Sequence, residues 1–135
     1  NIQKETLYEE PQPTRKNDFE IVTEFIERWA NSWADKDIEK YFSYYADDYT
    51  SSYYNEHELW KNDRTKRILN KSKINIDISN ISVNFDIEKE EKAIVTFDQS
   101  YKSDNFTDKV TKKMTLIKIK NNWIIISEEL IAGKY

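Results

Sequence analysis

Cysteine is missing from this sequence of 135 residues, which excludes a thiol nucleophile, a disulfide framework and cysteine-ligated metal while leaving the redox compartment open. A single glycine, Gly133, is too little for a phosphate-cradling loop. One histidine, His57, among scattered carboxylates gives no metal-ligand spacing, so neither a metal nor a cofactor is expected. No apolar run approaches the roughly 20 residues of a membrane-spanning helix, and no signal-like segment is visible. The sequence opens at Asn1, which reads as a piece of a longer polypeptide with any export signal or neighbouring domain upstream. Both prolines, Pro11 and Pro13, fall in a mixed-charge segment without apolar periodicity, so residues 1–17 read as a linker or N-terminal arm and 18–135 as one domain.

What is abundant is aromatic and charged: 14% and 34% of residues. A chain of this length buries roughly two thirds of its unfolded surface in one core without a staple. The net charge of -4 argues against nucleic acid or an anionic membrane as a partner. From Asn17 to Trp33, apolar residues Phe19, Val22, Phe25, Ile26, Trp29, Ala30 and Trp33 recur at helical spacing, with Glu20, Glu24, Glu27, Arg28 and Asn31 opposite. Asn17 and Glu20 have the spacing of a helix cap. Two tryptophans on one buried stripe require a large concave partner, and the second half of the chain is the candidate.

After a break at Asp35-Lys36-Asp37, a short second helix turns Ile38, Tyr41, Phe42 and Tyr45 inward. Tyr49 to Tyr54 has strand-like composition. Asn55 and Glu58 repeat the capping spacing before a third helix to about Asn70, with Trp60, Arg64, Arg67, Ile68 and Lys71 on one side. Alternation then takes over. Ile74, Ile76 and Ile78 are even, but Ile81, Val83, Phe85 and Ile87 are odd, so a bulge near Ser79-Asn80 is required. Strands Ala93 to Ser103, Lys109 to Lys120 and Trp123 to Ile131 follow, joined by Asp104-Asn105 and Asn121-Asn122. Short turns suit an antiparallel meander.

This order, with the aromatic first helix, Ala46-Asp47-Asp48-Tyr49 and the closing Trp123-Ile124-Ile125-Ile126-Ser127-Glu128-Glu129, resembles the NTF2-like (cystatin-like) superfamily over about residues 18 to 131. The resemblance implies an α+β cone, three helices packed on a curved antiparallel sheet. More narrowly, Trp33-Ala34-Asp35-Lys36-Asp37, Tyr41, Tyr44-Tyr45, Trp60 with Arg64 and Arg67, and Gln99-Ser100-Tyr101-Lys102-Ser103 resemble the accessory NTF2-like domain of bacterial L,D-transpeptidase and L,D-carboxypeptidase proteins, which modify peptidoglycan and influence cell shape. That likeness implies a periplasmic setting and an upstream catalytic domain. The parent family's Ser-His-Gly-Cys type motif is absent here, so its chemistry is not expected of this chain.

Val95, Phe97, Gln99 and Tyr101 share one strand face, so Gln99 marks either a pocket turning polar or the wet end of the sheet. Trp60, Arg64 and Arg67 either present cations to a carboxylate or lay their stems over the tryptophan. Asp47, Asp48, Asp98 and His57 are the candidate acids or bases. Asp98 opposes Gln99, Asp47 and Asp48 suit a turn, and His57 suits a solvated first turn, so no catalytic residue is assigned. Lys112, Lys113, Lys118 and Lys120 form a basic stripe suited to solubility and edge protection. The expected ligand pocket is bordered by Trp29, Trp33, Tyr45, Tyr49, Trp60, Gln99 and Tyr101, with Arg64 or Arg67 at its edge. Three readings follow: a non-catalytic domain binding a small polar ligand such as a peptidoglycan peptide or docking its catalytic neighbour, a stand-alone lyase or isomerase, and a surface for homodimerisation through the sheet. A buried carboxylate facing the cavity would favour the enzyme.

Overall fold

The computed structural model describes residues 14–86, 88 and 91–134. Three helices, α1 (Thr14–Ala34), α2 (Ile38–Ser43) and α3 (His57–Leu69), precede β1 (Ile74–Phe85), β2 (Lys92–Ser103), β3 (Phe106–Ile119) and β4 (Asn122–Lys134). The strands pair antiparallel in the order β1-β2-β3-β4, and the helices cover one face of this curved sheet. The fold is the expected α+β arrangement.

The stripe on α1 buries Val22, Phe25, Ile26, Trp29, Ala30 and Trp33, whereas Phe19 is 44% exposed because it lies a turn short of the sheet's cover. The helix begins at Thr14, so Asn17 sits within it and is not its cap. Of the expected arm, residues 1–13 lie outside the described residues. Trp29 meets Phe97 of β2 at 5.9 Å between ring centroids, which anchors the helix across the sheet.

Asp37 caps α2 by accepting from the Lys40 amide. The helix stops at Ser43, and the chain then runs along the free edge of β4: Ile125 N–H donates to Tyr44 C=O at 2.8 Å, and Ala46 N–H to Ile125 C=O at 2.9 Å. This bridge sets Tyr45 beside β4. The strand expected over 49–54 does not form. Tyr54 N–H bonds back to Ser51 C=O and the Thr50 hydroxyl donates to Tyr54 C=O, so serine and threonine satisfy this backbone as turns. The cap of α3 is Glu56, not Asn55, and its side chain makes no capping bond.

The alternation slip in β1 is a bulge between Ser79 and Ser82, with Asn80 at φ 53°. The β3–β4 turn is Lys120-Asn121, one residue earlier than expected, with both residues left-handed at φ 51° and 67°. β4 carries two further irregularities. Leu116 faces Ile125 but Thr115 faces Ser127, leaving Ile126 extra; Lys112 faces Leu130 but Thr111 faces Ala132, leaving Ile131 extra. The first of these changes which side chains reach the interior.

Lysine has a Cβ penalty at φ 51° that glycine lacks. Lys120→Gly should therefore stabilise the fold by about 0.5 kcal/mol, and Asn80→Val, a β-branched residue in the left-handed region, should destabilise it by roughly 1–2 kcal/mol. Urea denaturation midpoints that move the other way would refute the assigned turn and bulge conformations.

Candidate functional site

The interior parity of β4 begins with Trp123 and Ile125, so strict alternation would send Ser127 and Glu129 inward. The extra residue at Ile126 reverses the phase, and Glu128 faces the helices opposite buried Met114. A carboxylate thus enters the core. Its side chain is only 9% exposed, and it meets Lys112, which stands on the inner parity of β3 with Val110 and Met114. The Lys112 ammonium donates to Glu128 Oε2 at 2.9 Å and lies 5.4 Å and 5.3 Å from the ring centres of Trp29 and Trp33.

The other carboxylate oxygen accepts from tyrosines: Tyr45 Oη at 3.0 Å and Tyr49 Oη at 3.4 Å. Tyr45 spends its one proton there, so its oxygen accepts from Trp29 Nε1 at 3.0 Å and from Tyr41 Oη at 3.1 Å. Tyr41 in turn accepts from Arg64 Nη1 at 3.0 Å, since a guanidinium can only donate. The direction of every bond is fixed. The chain runs from Arg64 through Tyr41 and Tyr45 to Glu128, which Lys112 closes from the far side.

Burial by itself pushes the Glu128 pKa up, but the Lys112 and Arg64 charges, with the hydrogen bonds from Lys112 and Tyr45, hold it below its ordinary value of 4.5. Glu128 is therefore a fixed anion at neutral pH. Desolvation, then the neighbouring carboxylate, pushes the Tyr45 and Tyr49 hydroxyls up, so both stay protonated donors. The Arg64 guanidinium is driven further toward its charged form, chiefly by Tyr41 and against its own burial.

Beside this network opens a cleft of about 560 Å³ between the end of α3 and the strands β2 and β3. Trp33, Tyr101 and Phe106 give it an aromatic wall, with Trp33 and Tyr101 rings 5.4 Å apart and Tyr101 and Phe106 rings 6.0 Å apart. Arg64, Arg67, Lys71 and Lys112 supply cations against the lone carboxylate of Asp108 among the lining residues. Such a cleft favours an anionic group.

The expected pocket residues separate into two sets. Trp33, Arg64, Arg67, Gln99 and Tyr101 line the cleft, whereas Trp29, Tyr45, Tyr49 and Trp60 are buried behind it as core. The two sets meet through Lys112 and Arg64, which line the cleft and bond to the buried network. Arg67 is a rim residue, its side chain 69% exposed and paired with Asp63 at 2.9 Å. Asp47 and Asp48 are exposed in a turn, and Asp98 sits on the outer sheet face bonded to Asn80 and Thr111. His57 is not simply solvated: half-buried, its Nδ1–H donates to the Tyr49 carbonyl. Lys112 is no edge residue either, because β3 is flanked by β2 and β4.

The sequence reading missed Glu128, Lys112, Lys71 and Asp108 as site residues. Lys112 was legible from its parity with Val110, Met114 and Leu116. Nothing in the spacing of β4 marks the extra residue that re-aims Glu128, because plain alternation already turns Ile125 inward and Ile124 and Ile126 outward. Among the described residues no group of histidine and carboxylate side chains could hold a metal ion, and no helix is long and apolar enough to cross a membrane.

Residues 21–129 match the model of the Cds6 C-terminal NTF2-like domain. The chain belongs to this family. In structure it is similar to Bdellovibrio bacteriovorus Bd1075, with 22% identity and a TM-score of 0.75 over 84% of this chain and 40% of that protein. The helical cell shape determining protein Pgp2 of Campylobacter jejuni is similar at 16% identity and TM-score 0.70, over 78% of this chain and 38% of Pgp2. A Novosphingobium aromaticivorans protein provisionally named a scytalone dehydratase is similar at 14% identity and TM-score 0.70, over 89% of this chain and 88% of that one. These likenesses establish the fold, and the chain spans about two fifths of Bd1075 and Pgp2. No curated protein matches the chain in sequence.

Removing Lys112 leaves a buried, unpaired carboxylate. Lys112→Met should destabilise this Cds6-type domain by about 3–5 kcal/mol at pH 7. The pH dependence should also change sign. In the wild type the depressed Glu128 pKa contributes stability above pH of about 4.5 that is lost as pH falls through the folded value; in the variant, protonation relieves the burial cost and acidification stabilises relative to pH 7. Parallel denaturation curves of the two proteins across pH 3 to 7, about the range of carboxylate titration, would contradict this account of Glu128.

Proposed function

We propose that this chain is a non-catalytic, ligand-binding accessory domain of a peptidoglycan-modifying L,D-transpeptidase-type protein, acting in the periplasm. The observation that carries the reading is the cleft itself, in which hydrogen bonds hold Arg64 and Lys112 in place beside an aromatic wall. Peptidoglycan stem peptides offer carboxylates and amides, the groups that guanidinium, ammonium and glutamine side chains recognise. Family membership and the fold shared with the cell-shape protein Pgp2 support this setting. Docking of an upstream catalytic domain, or of a second copy, would use the outer sheet face, where Ile119 and Ile126 are exposed.

A lyase or isomerase is the second reading, and one observation favours it: Glu128 is a buried carboxylate on the helix-facing side of the sheet. Its chemistry points the other way. A general base works best with a pKa near the operating pH, whereas Glu128 is held low, both its oxygens are engaged, and Tyr45, Tyr49 and Lys112 surround it.

NMR titration with tri- and tetrapeptide muropeptides should shift resonances around Arg64, Gln99 and Tyr101 without cleavage or cross-linking of the ligand. Arg67→Ala should weaken binding by up to about 1 kcal/mol and leave the fold intact, as its guanidinium is exposed. Arg64→Ala should weaken binding more, by about 1–3 kcal/mol, and also cost stability through the lost bond to Tyr41. No shifts at millimolar ligand would leave domain docking as the better account; turnover lost in Glu128→Gln would establish the enzyme.

A further inference from the structure

The cleft has a second chemical character opposite its cations. Gln99 is 5% exposed, yet its Oε1 has no hydrogen-bond partner among the described residues, and the same holds for the buried Oδ1 of Asp108. Gln99 pairs with Val110 and Tyr101 with Asp108, so Gln99 and Asp108 are diagonal neighbours across β2 and β3 on the sheet face that lines the cleft. Two buried acceptors with no donor are unfavourable in the free protein, and a ligand that supplies N–H groups relieves both.

On the same strand, Lys112 has spent only one of its three N–H donors on Glu128 and stands at the cleft with Arg64. Donors and acceptors are thus set on different parts of one wall, with Trp33, Tyr101 and Phe106 beside them to cover alkyl carbons. Resting on the reading of this cleft as a ligand site, we infer that its ligand carries both a carboxylate and an ammonium or primary amide, as a free amino-acid headgroup or the end of a short peptide does. The carboxylate meets Arg64 and Lys112. The N–H donors meet the Gln99 amide and the Asp108 carboxylate, the two side chains of the wall that carry an unpartnered acceptor. A simple anion would leave both acceptors unpaired and place its charge near the Asp108 carboxylate, so it fits less well.

Isothermal titration of the chain at pH 7 with three probes tests this: the dipeptide Ala-Ala, its N-acetyl form and its C-terminal amide. The free dipeptide should bind about tenfold or more tightly than either blocked form, the scale expected for one charge-assisted contact. Gln99→Met and Asp108→Asn, which keep side-chain volume, should both narrow the gap between the free and N-acetyl dipeptides, Gln99→Met by weakening the free form and Asp108→Asn also by relieving the repulsion of the N-acetyl carboxylate. The wild-type comparison decides the matter even where a variant misfolds. Equal binding of the free and N-acetyl dipeptides would overturn the inference while keeping the cleft as an anion site. Binding of none of the three at millimolar concentration, together with no shifts from muropeptides, would overturn both the inference and the ligand-binding reading.

Discussion

The arrangement of this domain depends on one buried ion pair. Glu128 and Lys112 meet on adjacent strands under the aromatic helices, and neither charge would be tolerable there alone. Because the pair is only 2.9 Å apart and each oxygen of the carboxylate has a donor, its desolvation is offset by charge-assisted hydrogen bonds. The same bonds orient Tyr45, and through it Trp29 and Tyr41, so that side chains from α1, α2, α3 and β4 share one directed network. An apolar core of equal size would pack, but it would not specify where Arg64 and Lys112 present their remaining donors.

Around the pair, aromatic packing supplies the bulk of the stabilisation. Trp29, Tyr41, Trp60 and Phe97 are almost wholly buried, and each such ring contributes on the order of 1.5–3 kcal/mol by leaving water. Rings at 4.6 to 5.2 Å between Tyr49, Tyr45, Trp60 and Phe42 hold the loop after α2 against α3 without regular secondary structure. Core and site are therefore one assembly. The residues that stabilise the cone, Tyr41 and Tyr45, also place the cationic side of the cleft, which is why aromatics expected to border a pocket are found behind its wall.

Several features were legible in the residues. The α1 stripe from Val22 to Trp33, the break at Asp35-Lys36-Asp37 before α2, the inner face Val95-Phe97-Gln99-Tyr101 and the bulge at Ser79-Asn80 follow from period and turn chemistry, and the structure bears them out. Capping at Asn17 and Asn55 does not hold, because α1 already begins at Thr14 and Glu56 stands between Asn55 and the first helical residue His57. Tyr49 to Tyr54 was misread because β-like composition there is outcompeted by side chain to backbone bonds from Thr50 and Ser51.

Sequence alone determined the class of fold: local periodicity dictates which faces are apolar, and a helical stripe with two tryptophans followed by four alternating strands has few ways to bury them. It also excluded thiol and cysteine-ligated metal chemistry, since those need atoms this chain does not have. Tertiary structure alone decided the site. Whether Glu128 or Glu129 faces inward depends on one extra residue in β4, and whether Lys112 is a surface charge or a buried partner depends on what β4 places opposite it. Both are facts of strand register, a long-range property that the spacing of residues along one strand leaves undetermined.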